Sequence, residues 1–309
     1  MGAMPSTHIA TGGDAGYFPL IDELCASVRA LRPAEALGLA VIDAGLKPAQ
    51  AAHLAARWGA RILEVGWGDD LKVSRVRGRE HLKVQIARAW LDTLLPEAET
   101  IAWIDGDAWV QHDSGLDLLF RGAATGRLAI VSQTSRYSDR VMTLGWAAFG
   151  YAKVKAQLYK NARRAGLPEA VARRIGDRPT LNAGVFALPA DASHWKAWRE
   201  RQSAILRGRG RVFTSDQLSL GLAVYEDGCA VELLPEVCNY MGPFWSCDEA
   251  QTTLVERFVP NSPVGIVHMA GYDDMRRSLE VTAPIRTLGG REIARSLRYP
   301  AWSRMSAGG

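Results

Sequence analysis

The chain has 309 residues, of which 48% are hydrophobic and 23% are charged, a composition typical of a globular protein with a substantial core. Its net charge is only +4, and its Lys and Arg residues form no stripe interleaved with aromatic residues, which argues against nucleic-acid binding. No apolar run reaches the roughly 20 residues that span a bilayer. The first residues lack the segments of a secretory signal, and the four cysteines show no CxxC spacing. We therefore predict a cytoplasmic protein with reduced thiols.

The first hundred residues alternate between short apolar runs and segments of helical periodicity. Strands are predicted at 8–10, 37–45, 61–67 and 101–104, and helices at Phe18–Leu31, Pro48–Trp58 and 81–95. This alternation predicts a mostly parallel α/β sheet with right-handed connections. Ligands bind such sheets beyond the carboxyl ends of the strands. The segments TGGDAGY, IDAG and DGD lie at three such ends and are therefore expected to face one cleft.

The second half of the chain has a less regular pattern. Strands are predicted at 128–135, 180–188, 231–241 and 264–271, and helices at 151–175, 194–206 and 215–223. The helix at 151–175 is rich in Lys and Arg and is broken at 166–168. We find no internal repeat and no low-complexity linker.

The most informative stretch is IAWIDGDAWVQ, residues 101–111. Its apolar strand ends at Asp105 and Asp107, and residues two apart in a strand share a face. Both carboxylates can therefore converge on one point, and Gly106 lets the backbone come close to whatever sits there. Two oxygen anions suit Mn²⁺ or Mg²⁺ that also holds phosphate oxygens. The alternative is a solvated Asp-Gly turn.

His268, near the end of the last predicted strand, is the candidate third metal ligand, because neutral imidazole joins carboxylates on Mn²⁺. The alternative for His268 is a core histidine that is hydrogen-bonded to the backbone. Asn182 and Gly184 fall inside a strand pattern, where a glycine indicates a bulge or a close backbone approach. The amide of Asn182 suits sugar hydroxyls or charge that develops in a transition state; the alternative is a simple turn.

Two further pairs lie at predicted element boundaries. Asp216 either complements a helix dipole or holds sugar hydroxyls, with the amide of Gln217 beside the reacting carbon. Asp14 could read a base edge and Tyr17 could stack on a base, or Tyr17 could be a hydrophobic staple.

Some basic and aromatic side chains are weaker candidates. Arg88 and Lys83 could pair with phosphate or sugar, although most helix cations are only solvated. Trp109 and Trp245 are candidate platforms for sugar stacking, against the commoner role of tryptophan in a core.

In chain order these segments resemble glycosyltransferase family 8, which includes bacterial lipopolysaccharide galactosyl- and glucosyltransferases and glycogenin. VIDAG resembles the second strand of the family and WIDGD its Asp-x-Asp strand. LNAGVF resembles its Asn-Ala-Gly-Val segment, SDQLSL its Asp-Gln motif and IVHMAG its closing His-x-x-Gly. The order and spacing hold from about residue 8 to residue 272.

The resemblance implies a GT-A fold, in which one main α/β domain has a Rossmann-like, mostly parallel central sheet flanked by helices. It implies a UDP-sugar donor such as UDP-glucose or UDP-galactose, Mn²⁺ or Mg²⁺ as cofactor, retention at the anomeric carbon, and a saccharide or glycolipid acceptor. The residues that it places on the uracil are Asp14 and Tyr17, those on the metal are Asp105, Asp107 and His268, and those around the donor sugar are Arg88, Asn182, Asp216 and Gln217. The glycines Gly106, Gly184 and Gly271 complete the predicted donor-binding set.

The chain departs from the family in two places. The family follows its closing glycine with Lys-Pro-Trp, whose Lys contacts the diphosphate, whereas this chain reads GYDDMRRS. Arg276 and Arg277 are the candidate replacements. The segment between DGD and NAG is also longer, and we interpret its basic helix as an acceptor-side insertion.

These patterns divide the chain into a disordered leader at 1–7, a catalytic domain at 8–272 and a basic tail at 273–309. Residues 8–110 are the nucleotide-binding half of the domain, and residues 111–272 are the donor-sugar and acceptor half. The tail is either a peripheral contact with an inner membrane or a solvated, partly disordered segment.

For retention, Asp216 is a candidate nucleophile beneath the sugar. We favour instead same-face attack by the acceptor, supported by Gln217 and Asn182. The rival interpretations are a catalytically silent nucleotide-sugar-binding module and a sugar nucleotidyltransferase. The lack of a basic residue in TGGDAGY argues against the second rival.

Overall fold

The structure is a computed structural model that describes residues 6–68, 76, 78–133, 142–146, 150, 152–208 and 212–303. For residues 142–146 and 152–155 only the backbone is described. Most of the predicted leader, residues 1–5, lies outside the described part of the chain.

The strands and helices within these ranges follow in chain order. The strands are β1 Thr7–Gly13, β2 Gly38–Asp43, β3 Ala60–Glu64, β4 Thr100–Ile104, β5 Ala108–Val110, β6 Leu128–Ser132, β7 Met142–Trp146, β8 Ala152–Ala156, β9 Leu181–Pro189, β10 Val231–Leu233, β11 Trp245–Cys247, β12 Leu254–Val255, β13 Ile266–His268, β14 Ala283–Thr287 and β15 Glu292–Arg295. The helices are α1 Phe18–Leu31, α2 Pro48–Trp58, α3 Lys83–Ala87, α4 Leu91–Leu94, α5 Asp113–Ala123, α6 Gln157–Arg164, α7 Glu169–Ile175, α8 His194–Arg207, α9 Ser215–Tyr225, α10 Asp273–Arg277 and α11 Pro300–Ser303.

A seven-stranded sheet forms the centre of the molecule, with the strand order β10-β6-β9-β4-β1-β2-β3. Only β9 runs antiparallel to its neighbours β4 and β6, and the other pairings are parallel. Helices α1, α2 and α5 pack on one face of this sheet, and α3, α8 and α9 pack on the other. The mostly parallel α/β sheet predicted from the sequence is therefore confirmed.

Smaller sheets stand beside the central one. Strand β5 pairs antiparallel with β13, and a four-stranded sheet has the order β12-β11-β14-β15. Residues beyond Gly271 supply α10, β14, β15 and α11. Their side chains Ile285, Leu297 and Trp302 are buried in a cluster with Trp109 of β5. Within the described ranges, no helix combines the length and the apolar character that a bilayer span requires.

Several predicted elements have different bounds or a different character. The helix predicted at 81–95 is divided into the 3₁₀ turn Glu80–Leu82, α3, the 3₁₀ turn Arg88–Trp90 and α4. The second 3₁₀ turn begins at Arg88, which is 6% exposed although charged. The tight turn therefore coincides with a charged side chain that points into the protein.

The prediction of a helical segment over 151–175, broken at 166–168, was wrong at its start, whereas the break agrees with the gap between α6 and α7. Residues Ala152–Ala156 form β8, which pairs antiparallel with β7, and the helical part consists of α6 and α7. The segment AKVKA alternates small or apolar residues with Lys, which is the period of a strand. Strand β9 extends through Asn182 and Gly184, but its pairing with β6 is irregular there, because Ile130 pairs with Phe186 whereas Ser132 pairs with Leu181. The extra residues of β9 include Asn182 and Gly184, so the bulge predicted at this glycine is confirmed.

Candidate metal centre

The two carboxylates and the histidine come together at the carboxyl edge of β4. Asp105 and Asp107 follow β4, and β5 then pairs with β13 so that Ala108 lies opposite His268. The backbone N–H of Asp105 also donates to the carbonyl of Gly184 on β9, at 2.7 Å. One ligand atom from each of Asp105, Asp107 and His268 lies within 4.8 Å of the other two. Three strands thus bring together residues that are far apart in the sequence.

The imidazole of His268 is oriented by a hydrogen bond at Nδ1, the ring nitrogen that does not face the two carboxylates. Its Nδ1 lies 2.8 Å from Oδ1 of Asn239, which can only accept, so Nδ1 carries the proton. The other nitrogen, Nε2, lies 3.4 Å from Oδ1 of Asp107 and 3.8 Å from Oδ2 of Asp105. Histidines that ligate metals commonly donate their second N–H to an oxygen in this way, and Nε2 of His268 would then offer its lone pair to a bound cation.

In each carboxylate, the oxygen that does not face His268 pairs with an arginine. Oδ1 of Asp105 accepts from Nη2 of Arg88 at 2.9 Å and from the indole of Trp103 at 2.8 Å. Oδ2 of Asp107 lies 2.5 Å from Nη1 of Arg276. The remaining oxygens, Oδ2 of Asp105 and Oδ1 of Asp107, are the two that face His268.

The space between these groups is kept free by Gly184. A Cβ at this position would stand 2.6 Å from Cε1 of His268 and 2.7 Å from Oδ2 of Asp105. Two carboxylate oxygens and one imidazole nitrogen are a donor set that suits Mn²⁺ or Mg²⁺. The residues present therefore fit a divalent cation.

The charges of the site shift its pKa values in opposite directions. Burial disfavours ionisation of Asp107, but His268 and Arg276 together lower the pKa of its carboxyl below the usual range. Burial raises the pKa of Asp105 despite the charge of Arg88. Burial also disfavours the imidazolium of His268, yet the charges of Asp107 and Asp105 raise its pKa above the ordinary value.

Arg88 links the metal cluster to the first turn of α9. Its guanidinium lies 4.7 Å above the ring of Trp103 and donates to the carbonyl of Ala183 at 3.0 Å. Its Nη1 also lies 3.1 Å from Oδ2 of Asp216. Asp216 is 4% exposed, and burial raises the pKa of its carboxyl to about 6 although Arg88 opposes that change. Arg88 therefore bridges Asp105 and Asp216 from inside the protein.

A cavity of about 490 Å³ opens beside the cluster. The predicted site residues that line it are Tyr17, Arg88, Asp105, Gly106, Asp107, Asn182, Gln217, His268 and Gly271. Asp14, Gly184 and Asp216 are not among its described lining residues. The cavity thus brings together residues from both halves of the predicted domain.

The two candidate residues of the first loop, Asp14 and Tyr17, have different hydrogen-bond partners. Oδ1 of Asp14 accepts from the backbone N–H groups of Gly16 and Tyr17, at 2.9 and 3.2 Å, and so orders the turn before α1. The hydroxyl of Tyr17 accepts from Nη1 of Arg276 at 3.1 Å. Of the two candidate replacements for the family lysine, Arg276 lines the cavity, whereas Arg277 pairs with Asp274 and its side chain is 76% exposed.

Three of the other candidates lie outside the cavity lining. Trp109 and Trp245 are 2% and 3% exposed and belong to the core, so the idea that they stack on sugars was wrong. Lys83 pairs with Glu80 at 2.8 Å. The position of the absent Cβ of Gly106 faces Ile21 and the carbonyl of Gly12, so this glycine packs toward α1 and β1.

Sequence reasoning missed the supporting residues Trp103, Asn239 and Met241. Trp103 stands two residues before Asp105 on the same strand face, so strand periodicity could have identified it. Met241 accepts from Nδ2 of Asn182 at 3.0 Å. Asn239 and Met241 lie in a short loop region whose sequence carries no signal of this role.

No protein-family model and no curated protein sequence matches this chain. Solved structures do match it. The galactosyltransferase LgtC, in complex with donor and acceptor sugar analogues, has a TM-score of 0.50 and 17% identity, over 86% of this chain and 87% of LgtC. The bifunctional glycosyltransferase WbbM, in its apo form, has a TM-score of 0.52 and 14% identity, over 86% of this chain and 46% of WbbM. The chain therefore has the GT-A fold of these glycosyltransferases, as the sequence predicted.

Proposed function

We propose that this protein is a retaining glycosyltransferase that moves a hexose from a UDP-sugar to a carbohydrate or glycolipid acceptor and depends on a divalent cation. The observation that carries the proposal is the convergence of Oδ2 of Asp105, Oδ1 of Asp107 and Nε2 of His268 beside the cavity. The donors named in the proposal are UDP-glucose and UDP-galactose, since nothing in the cavity lining distinguishes their one differing hydroxyl.

The diphosphate would lie in the cavity beside the metal ligands and Arg276. A bound Mn²⁺ or Mg²⁺ would supply Lewis-acid stabilisation of the charge on the departing UDP, an effect worth several kcal/mol. Asp105, Asp107 and His268 would hold that ion. Arg276 lines the cavity beside Asp107 and pairs with both Asp107 and Asp273, so that its positive charge and its remaining N–H groups can face diphosphate oxygens. In this way Arg276 takes the role that the family assigns to a lysine.

The sugar would lie against the amides of Asn182 and Gln217, both of which line the cavity. Asp216 is buried and held by Arg88, which argues against a role as the nucleophile beneath the sugar. We therefore propose same-face attack by the acceptor, with Gln217 and Asn182 as polar supports. In this proposal Asp216 acts through Arg88 and so fixes Asp105.

The test is a transfer and hydrolysis assay with UDP-glucose and UDP-galactose, with Mn²⁺ and after chelation. We expect release of UDP only with the metal, and we expect Asp107→Asn to lower the rate about 100-fold or more, since it replaces an anionic ligand by a neutral amide. Asp191→Asn, at an exposed position of the same charge type, is the control and should retain the wild-type rate. An unchanged rate in Asp107→Asn would refute the metal role.

The same assay separates the rival functions. Binding of a UDP-sugar without any turnover would support a silent binding module, and formation of a UDP-sugar with pyrophosphate from UTP and a sugar phosphate would support a nucleotidyltransferase. The configuration of the transferred sugar at its anomeric carbon, read by NMR, tests retention.

The acceptor and the location complete the proposal. A saccharide or glycolipid acceptor fits the GT-A fold, and a cytoplasmic location fits the sequence. Contact with an inner-membrane surface would fall on the exposed arginines after Gly271, which in the described part of the tail are Arg277, Arg286 and Arg291.

A further inference from the structure

The helix α10 carries Arg276 to the candidate metal centre but has only five residues, Asp273–Arg277. A helix of this length does not hold its own shape in water, because nucleation costs more than so few hydrogen bonds return. Contacts from outside the helix must therefore fix the position of Arg276. The structure provides them through Leu297 and Arg298, which follow β15.

The guanidinium of Arg298 contacts two elements, α1 and α10. Its Nε donates to Oε2 of Glu23 on α1 at 2.8 Å, and its Nη2 contacts Oε1 of the same carboxylate. Its Nη1 donates to the backbone carbonyl of Arg276 at 3.1 Å. The Arg298 residue is 4% exposed, and burial raises the pKa of Glu23 although Arg298 opposes that change. A buried ion pair thus holds the backbone at the residue whose side chain reaches Asp107.

The neighbouring residues tie the same segment to β5 and α10. The indole of Trp109 donates to the carbonyl of Leu297 at 2.8 Å, and the backbone N–H of Leu297 lies 3.1 Å from Sδ of Met275. Trp109 stands two residues after Asp107. The segment therefore contacts α1, β5 and α10. Helix α1 follows Tyr17, β5 follows Asp107 and α10 carries Arg276, and these three side chains meet at the cavity.

We propose that Glu23 and Arg298 are positioning residues for Arg276. They fix the backbone of α10 so that the guanidinium of Arg276 lies against Asp107 and Tyr17 and is preorganised for a nucleoside diphosphate. A buried ion pair is weak support for stability compared with apolar packing, so its presence behind α10 calls for another role. The ligand in this inference rests on the proposed function, whereas the placement of Arg276 does not.

The first test is a double-mutant cycle on the affinity for UDP with Mn²⁺, measured by calorimetry. We expect Arg298→Met and Arg276→Ala each to weaken binding by about tenfold. The double variant should bind no more weakly than Arg276→Ala alone, because Arg298 acts only through Arg276. Losses that multiply in the double variant would overturn the proposal.

The second test needs no ligand. The side chain of Arg276 is 21% exposed and pairs with Asp107 and with Asp273, whereas the side chain of Arg277 is 76% exposed. Phenylglyoxal modification, mapped by mass spectrometry, should be slow at Arg276 in the wild type and should approach the rate of Arg277 in Arg298→Met. An unchanged rate at Arg276 would overturn the proposal even if the protein binds UDP. A wild type that does not bind UDP, with the modification rates as expected, would instead refute the proposed function.

Two further variants separate positioning from stability. Arg298→Lys keeps a positive charge beside Glu23 but loses the fork, so we expect loss of UDP affinity with a smaller change in thermal stability than in Arg298→Met. Arg201 is the matched control, because it also makes a forked pair with a carboxylate, that of Asp227, and does not line the cavity. Arg201→Met should leave the UDP affinity and the modification rate of Arg276 unchanged. An equal effect of Arg201→Met would show that the loss is only structural.

Discussion

At the scale of single residues, Gly184 decides whether the candidate metal centre has room for an ion. A Cβ at this position would meet Cε1 of His268 and Oδ2 of Asp105, and both residues are candidate ligands. Because one ring is held by Asn239 and one carboxylate by Arg88 and Trp103, neither can move aside without losing hydrogen bonds.

We predict that Gly184→Ala lowers the affinity for Mn²⁺ by about 10- to 100-fold, the range seen when groups that support metal ligands are lost. Calorimetry or Mn²⁺ electron paramagnetic resonance measures this affinity. Gly221→Ala in α9, where a Cβ meets nothing within 4 Å, is the control and should bind Mn²⁺ as the wild type does. Equal affinity in Gly184→Ala and Gly221→Ala would contradict the proposed position of the ion.

Asp216 should make the stability of the protein depend on pH. Its carboxyl has a pKa of about 6 in the folded protein, against 3.8 as the ordinary value. Because the folded state binds the proton more tightly, stability is highest below pH 4 for this group and falls as the pH rises through 6. At 1.36 kcal/mol per pKa unit, ionisation costs the folded state about 3 kcal/mol.

We predict that the free energy of unfolding contains a component that falls between pH 4 and pH 6, and that this component is lost in Asp216→Asn. Urea unfolding at several pH values in the presence of a chelator measures it. Asp191→Asn, whose carboxyl is exposed, should keep the wild-type profile. The same slope in Asp216→Asn as in the wild type would assign the pH dependence to other groups.

At the scale of elements, the position of His268 depends on how closely α5 approaches the start of β13. A Cβ on Gly265 would stand 2.6 Å from Cα of Gly115 in α5, and a Cβ on Gly115 would stand 2.9 Å from the backbone of Gly265. The backbone N–H of Gln111 also donates to the carbonyl of Gly265 at 2.8 Å. Backbone contact between two glycines therefore sets the distance of the helix from the strand that carries His268.

We predict that Gly265→Ala lowers the free energy of unfolding by about 1–3 kcal/mol, the cost of overpacking a close contact, and also weakens Mn²⁺ binding. Urea denaturation and the metal titration test the two effects separately. Gly66→Ala, where a Cβ meets nothing within 4 Å, should change neither quantity. Full stability of Gly265→Ala would mean that α5 can shift at no cost.

At the scale of the whole molecule, the described arginines after Gly271 differ in their burial and in the groups that they contact. Arg298 is buried against Glu23 and Arg276 faces the cavity. Up to Ser303, where the described residues end, the exposed arginines of this segment are Arg277, Arg286 and Arg291. Much of the segment is folded into β14, β15 and two short helices. Removal of everything after Gly271 would therefore remove a part of the site together with any surface for a membrane.

We predict that neutralising Arg277, Arg286 and Arg291 together with Gln weakens binding to vesicles that contain anionic lipid, by about 1 kcal/mol for each arginine that lies near the surface. Sedimentation with anionic and with neutral vesicles measures this binding. The matched control neutralises three exposed cations elsewhere, namely Lys47, Arg121 and Lys196. Equal sedimentation of both triple variants would remove the membrane contact from the proposal.

Local sequence signals fixed some elements with accurate bounds. Helices α1 and α2 begin and end where the sequence predicted, because proline stands in their first turns and Gly59 ends α2 in a left-handed conformation. Asp105 and Asp107 converge as the sequence predicted, but they stand in the turn between β4 and β5, which is closed by the hydrogen bond from Ala108 to the carbonyl of Asp105, and not in a strand. Strand β8 was missed because its basic residues suggested a continuation of the basic helix that follows it.

The sequence by itself determined the α/β class, the carboxylate pair and the candidate third ligand, since strand ends and residue spacing are local properties. Only the tertiary structure decided which groups support them. Asn239 lies 29 positions from His268 and Arg276 lies 169 positions from Asp107, yet each pair is in hydrogen-bond contact. Such partners are chosen by the pairing of β5 with β13 and by the packing of the C-terminal segment on α1. These depend on the burial of apolar surface across the whole chain, which no local pattern records.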